Sequence, residues 1–261
     1  MRTLPQPGPI PLIRATLERA GRHDAGTLAA ALTYQGLLSS VPIVVLAGAV
    51  LGFVFAGDPE MADRWLAAVA RTIPGLEEVV GNNIDALVRS RVEAGVIAIV
   101  ALAWTGSSLA GRASHALARA FEVPERPWYR ARPRALAQVV ILGCAALAAI
   151  GLTALSSGGG GVLAWAGAVV VDLAFALLAY RILSPPAGPP IRAHVPGAIA
   201  FAGSWLLLQI AGGWYVTEVV ARASAVYGTI AAVVGLLAIM SVLANTFIYG
   251  AELSAVLAEG V

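Results

Sequence analysis

The chain has 261 residues, of which 59% are hydrophobic and 12% charged, with a mean hydropathy of +0.81, a composition that excludes a water-soluble domain of this size. Its formal charge of +2 is too small to argue for nucleic acid, and all seventeen basic residues are Arg, which removes a phosphate-loop lysine, a Schiff-base lysine and any lysine general base. The single cysteine, Cys144, leaves no intrachain disulfide and no cysteine-based metal site.

Crossing roughly 30 Å of hydrocarbon takes about 20 apolar residues per helix. Six stretches qualify, at approximately 28–55, 94–112, 135–155, 162–183, 195–216 and 228–250. The expected fold is therefore all-α, a polytopic membrane helix bundle of six transmembrane helices in a single membrane domain, 1–261. The arm 1–27, "MRTLPQPGPIPLIRATLERAGRHDAG" and onward, has no short apolar core followed by a cleavage site, and reads as a cytoplasmic arm ahead of the first span.

The first span opens polar and ends apolar, "ALTYQGLLSSVPIVVLAGAVLGFVFAG". Gln35 and Ser39 are four apart and Pro42 is seven from Gln35, so the three share one helix face. Pro42 predicts a kink, because it removes a backbone donor and loosens the Leu38 carbonyl. Two uses of this polar half stay open: with Tyr34 it lines a cavity on the cytoplasmic side, or it fastens the bundle by interhelical hydrogen bonds. After it, Met61, Trp65, Leu66, Val69 and Ile73, then, past Pro74-Gly75, Val80, Ile84 and Leu87 or Val88, recur at helical spacing. That pattern predicts two amphipathic helices on the outer face within 57–93.

The second span carries Trp104, Thr105, Ser107 and Ser108 and runs into a basic connection, 112–134. Within it, Arg126 to Arg134 enclose Trp128 and Tyr129; the simplest physics is arginines and interfacial aromatics gripping anionic headgroups of membrane lipids, with no nucleic acid bound. "SSGGGG" between the third and fourth spans is a short turn. In the fourth span Asp172 lies about ten residues from either end. A carboxyl at that depth costs on the order of 3 kcal/mol and must face protein or water, so it serves either a substrate-contacting, proton-linked role or a hydrogen-bonded structural one. Gln209 in the fifth span and Asn245 in the sixth can reach the same interior. Glu252 follows Asn245 by two turns, and because Arg112 and Glu252 are both expected at helix ends on one side, a charge pair between them is expected. His23, His115 and His194 are scattered without metal-ligand spacing, which argues against a zinc or nuclease site, and no cofactor or catalytic residue is expected.

Arginine placement sets the orientation. The arm, the 112–134 connection and the fourth-to-fifth connection hold twelve arginines; the opposite side holds five, with eight acids. Both termini are thus expected on the cytoplasmic side, as an even number of spans requires.

Four stretches, "AALTYQGLLSSVPIVVLAGAVLGF", "AWTGSSLAGRASHALARAFEVPERPWYRAR", "LSPPAGPPIRAHVPGAIAF" and "YGTIAAVVGLLAIMSVLANTFIYGAELSAVL", resemble the YihY/virulence factor BrkB family across residues 12 to 258 or so. The most specific pieces are the Ser-x-Val-Pro step ending at Pro42, His194-Val195-Pro196-Gly197-Ala198, Tyr227-Gly228 and Gly250-Ala251-Glu252-Leu253. The resemblance implies a six-helix protein of the cytoplasmic (inner) membrane. It also brings an older label, ribonuclease BN, for which the residues offer no cleavage chemistry, and an involvement of some members with envelope lipids or lipid-linked sugars. The leading expectation is a transporter or flippase of lipid or another amphiphile through a polar intramembrane cavity. The alternatives are a structural or scaffold protein of the envelope and an ion or small-solute transporter. A homo-oligomer is compatible with any of these.

Overall fold

The computed structural model describes residues 9–54, 91–124, 128–157, 162–185, 187–215 and 225–259. Among them the chain is helical: α1 (Pro9–Arg22), α2 (Ala25–Val54), α3 (Arg91–Ala120), α4 (Trp128–Ser157), α5 (Val162–Leu183), a 3-10 turn (Ile191–His194), α6 (Val195–Tyr215) and α7 (Ala225–Glu259). The expected amphipathic helices of 57–93 lie outside the described residues, apart from the start of α3, as do Arg126 and the glycine turn.

Four stretches are long and apolar enough to cross a membrane among the described residues: Gly95–Ala120, Ala166–Leu183, Ile191–Ala211 and Val233–Glu259. Helices α2 and α4 cover the other two expected spans. Each long helix packs on the next in chain order, α2 on α3, α3 on α4 and so on to α6 on α7, and α7 returns to α2. The result is a closed ring of six helices, with α1 laid against α7 and α2.

Alanine dominates the described core. Ala29 of α2, Ala113, Ala116 and Ala120 of α3, Ala176 and Ala179 of α5, Ala198 of α6 and Ala251 of α7 are all buried around Leu117, Tyr180 and Ile248. In lipid there is no hydrophobic force between helices, so small residues that let backbones approach provide the association. These positions all fall at one end of the ring, where α2, α4 and α6 begin and α3, α5 and α7 finish. That end carries Arg19, Arg112, Arg132, Arg134, Arg181 and Arg192, and is called the basic end below.

One element differs from expectation. The connection 112–134 is mostly helical, because α3 continues through Ala120 and α4 begins at Trp128 with Pro133 inside its second turn. The sequence Gly111–Ala120 keeps small residues on its inner face, Ala113, Ala116, Leu117 and Ala120 being buried, so the helix persists two turns beyond the point where hydropathy falls.

Candidate functional site

A buried ion cluster ties α1 to the bundle. Thr16, Arg19 and Ala20 share the inward face of α1. The Arg19 guanidinium donates through Nε (3.3 Å) and Nη2 (2.9 Å) to the carbonyl of Ala120, the last residue of α3. It also pairs with Glu259 (2.8 Å), Glu122 (3.2 Å) and the fully buried Glu252 (3.3 Å). His23 Nδ1 lies 2.8 Å from the other Glu252 oxygen. One arginine thus satisfies an orphan carbonyl of α3 and compensates a carboxylate of α7.

The end of α3 explains why Glu122 belongs there. Val123 N–H donates to Ala118 O and Glu122 N–H to Arg119 O, with Glu122 at φ 51°. This is a Schellman cap with glutamate in the left-handed position usually held by glycine. Its strain is offset by the charge contact with Arg19, and by His23 Nε2 at 3.6 Å.

Next to this cluster, α6 and α7 cross backbone to backbone. A Cβ on Gly197 would sit 2.6 Å from the Gly250 carbonyl oxygen, and one on Gly250 would sit 2.7 Å from the Tyr180 hydroxyl. That hydroxyl donates to Phe247 O (2.7 Å), and the Gly197 N–H, in the otherwise unpaired first turn of α6, donates to Ser254 Oγ (2.9 Å). The two sequence pieces around Pro196-Gly197 and Gly250-Glu252 are therefore two sides of a single contact. His194 is buried beside it, edge-on to Phe121 with ring centroids 5.1 Å apart.

The residues singled out from sequence fall into three places. Gln35 is buried and donates to the Thr105 carbonyl of α3 (3.0 Å), Ser39 donates to Gln35 O (2.8 Å) and Thr33 to Ala29 O (2.8 Å). Pro42 is buried on the same face. Gln35 thus fastens α2 to α3, while the Ser39 and Thr33 hydroxyls are satisfied within α2 itself. Tyr34 is 61% exposed, because it stands about 100° round the helix from Gln35 and so points out of the ring.

Asp172 and Gln209, named separately from sequence, meet: the half-buried Asp172 carboxyl hydrogen-bonds the Gln209 side chain between α5 and α6. Asn245 stands elsewhere. Its amide donates to Ser241 O (2.8 Å), and it lines an open, largely apolar slot of about 470 Å³ between α1 and α6–α7, with Leu12, Leu17, Thr246 and Tyr249.

The expected Arg112–Glu252 pair is corrected. Glu252 is held by Arg19 and His23, while Arg112 is exposed and, with α3 extending to Ala120, lies two turns short of the helix end. Sequence reasoning counted Arg19 among the basic residues of the arm and missed its role; the small neighbours Thr16 and Ala20, three before and one after it, are the signal of a buried face. It missed too that Arg134 and Gln138 of α4 reach the last carbonyls of α5. Arg134 donates to Ser184 O (2.8 Å) and Gln138 to Ile182 O (2.7 Å).

Long apolar helices closed into a ring, with an acid–amide pair between two of them, define an integral membrane protein. Residues 16–260 match the family described as Virulence factor BrkB, and the chain belongs to that family. It is similar to the inner membrane protein YhjD of Escherichia coli (strain K12), at 31% identity over 118 residues, 44% of this chain and 35% of that protein. It is also similar to an uncharacterized protein of Dickeya dadantii (strain 3937), at 29% identity over 100 residues, 37% of this chain and 30% of that one. The matched segments thus span about a third of the length of these relatives. No solved structure matches the chain.

Proposed function

We propose that this chain is a six-span protein of the cytoplasmic membrane, with its basic end and both termini in the cytoplasm, that moves a lipid or another amphiphile between leaflets. The observation that carries the reading is the Asp172–Gln209 pair. An ionisable group held that deep in apolar helices is costly and is kept where a polar group must pass or a proton must move. A half-buried pair on two adjacent helices offers a headgroup one acceptor-rich and one amide partner, while tails stay in lipid. The slot beside Asn245 supports the same reading, since an apolar recess with a single amide in its wall suits the boundary between a tail and a headgroup. The twelve arginines that the sequence assigns to the arm and to the 112–134 and fourth-to-fifth connections support the orientation.

A second reading, a scaffold protein whose polar residues only fix helix packing, draws on Gln35, Ser39 and Thr33, each of which is bonded within the bundle. The separating experiment follows headgroup-labelled lipids across proteoliposome membranes. Asp172→Asn keeps a hydrogen-bonding group opposite Gln209 but removes the ionisable one. Protein-dependent movement that drops at least about tenfold in Asp172→Asn, with the helical content unchanged, supports transport through the pair. Movement equal in both proteins removes Asp172 from the path. No movement of several lipid classes by the folded wild type transfers the weight to the scaffold reading.

A further inference from the structure

Between α3 and α4 the basic end holds a cleft that the fold does not use for packing. The two helices touch at Gly106, where a Cβ would come within 3.1 Å of Val139 Cγ1. One and a half turns on, at Gly111, a Cβ would meet nothing within 4 Å. The space opening there has about 190 Å³ on the side of Ser107, Ser108 and Arg132, and Gly111, Ala131 and Ala135 in its wall also line a second recess of about 90 Å³ beside Ser114, Gln138 and Arg134. No carboxylate lines either part among the described residues.

From this geometry we infer that the α3–α4 cleft is a binding site for the phosphate of an anionic phospholipid, held by Arg132 and one serine hydroxyl. The Arg132 guanidinium sits over the Trp104 ring, 4.7 Å from its centroid. Stacking occupies the face of the cation and fixes its position, and leaves the donors in its plane for an anion. Ser107 and Ser108 both donate to the same acceptor, the Trp104 carbonyl, at 3.1 and 2.9 Å. That carbonyl also lies where the helical ladder takes a bond, so one hydroxyl is surplus and can turn to a phosphate oxygen without orphaning a buried group. A guanidinium and a hydroxyl at the wall of a carboxylate-free recess is the chemistry that selects phosphate over a neutral headgroup.

The source of the phosphate is fixed by what surrounds the mouth. Trp104, Val100 and Ile97 on α3 and Val140 on α4 are exposed apolar side chains; they continue the cleft toward the hydrocarbon and give acyl chains a surface that a free phosphate ion would not need. The site is independent of the transport reading: a resident lipid fits a transporter or a scaffold.

The test is equilibrium retention of lipid on the purified full-length protein in detergent, read by native mass spectrometry after exchange with phosphatidylglycerol or with diacylglycerol, which has the same tails and no phosphate. The expected result is one tightly retained phosphatidylglycerol, preferred about tenfold over diacylglycerol, as one charge-assisted contact would give. Arg132→Gln and Gly111→Leu, which removes the cation or fills the recess, should each abolish that preference. Arg22→Gln, which removes an exposed arginine of α1, should leave it intact. Equal retention of the two lipids by the wild type, or a preference unchanged in both cleft variants, overturns the proposal. Displacement of the lipid by millimolar inorganic phosphate overturns the lipid assignment in favour of a free-phosphate site. Because nothing is transported, failure here leaves the flipping assay untouched, and failure there leaves this result standing.

Discussion

Helix α3 presents one seam to α2 and another to α4, and the two are built on opposite principles although both carry serines and an amide. Against α2 every polar group named is spent inside the protein: Gln35 on the Thr105 carbonyl, Ser39 on Gln35 O, Thr105 on Ala101 O. Against α4 the helices touch at Gly106, then part at Gly111 into a recess walled by Ser107, Ser108 and Arg132. Polar residues in a membrane protein therefore do not by themselves mark a site; the distinction is whether open space lies beside them, as it does beside Ser107, Ser108 and Arg132.

The strongest way to break both seams at once is through the cap they share. Arg19→Met removes the partner of the Ala120 carbonyl and leaves the buried Glu252 with His23 alone. Losing one member of a buried pair costs about 3–5 kcal/mol, so the thermal midpoint of the purified protein should fall further than for any other single change proposed here. The double variant Arg19→Met/Glu252→Met should recover much of the loss, since it also removes the uncompensated charge. A single variant as stable as the wild type would mean that α1 is not an anchor of the bundle.

The contrast between the touching and parted stretches of the α3–α4 seam is sharpened by a pair of glycines on the same helix. Gly106→Leu forces its side chain into Val139 and should destabilise by about 1–3 kcal/mol, the usual cost of overpacking. Gly111→Leu enters open space and should be neutral or slightly stabilising, because leucine is the better helix former. Thermal melts of the two variants side by side check this, and equal losses would mean that the cleft is not open.

What could be read from the chain follows the same division. Four of the expected spans were legible because each is a run of apolar residues long enough for the bilayer. The end of α3 was not, because Glu122 occupies the left-handed cap position without the glycine that would have signalled it, and this is why Arg112 was expected to meet Glu252. Asp172 and Gln209 were each legible as costly residues in apolar helices, but their pairing depends on the rotation of α5 against α6, which one sequence does not encode in any local pattern. For Gln35 and Ser39 the shared face was legible; whether that face met a cavity or a carbonyl depended on α3. Arg19 is set apart from the exposed Arg14 and Arg22 by sharing the α1 face of Thr16 and Ala20.

Gln35→Leu tests the closed seam at a smaller scale. It removes the interhelical bond to the Thr105 carbonyl but keeps the volume, and such bonds contribute about 0.6–2 kcal/mol in membrane proteins. A loss of that size in the thermal midpoint, with lipid retention unchanged, is the expected outcome. Loss of retention instead would tie the two seams together and erase the distinction between them.

The smallest effect is the most diagnostic of the open seam. Ser108→Ala removes one of two hydroxyls donating to the Trp104 carbonyl, and Ser107 remains as its partner. Stability should stay within about 0.5 kcal/mol of the wild type, as for an ordinary peripheral substitution. Retention of anionic lipid should weaken only modestly, because Ser107 is then caught between carbonyl and phosphate while Arg132 still holds the charge. The double variant Ser107→Ala/Ser108→Ala leaves the phosphate no hydroxyl at all and should weaken retention more than the two single losses combined. Strictly additive losses would mean that the hydroxyls act separately and that neither was surplus.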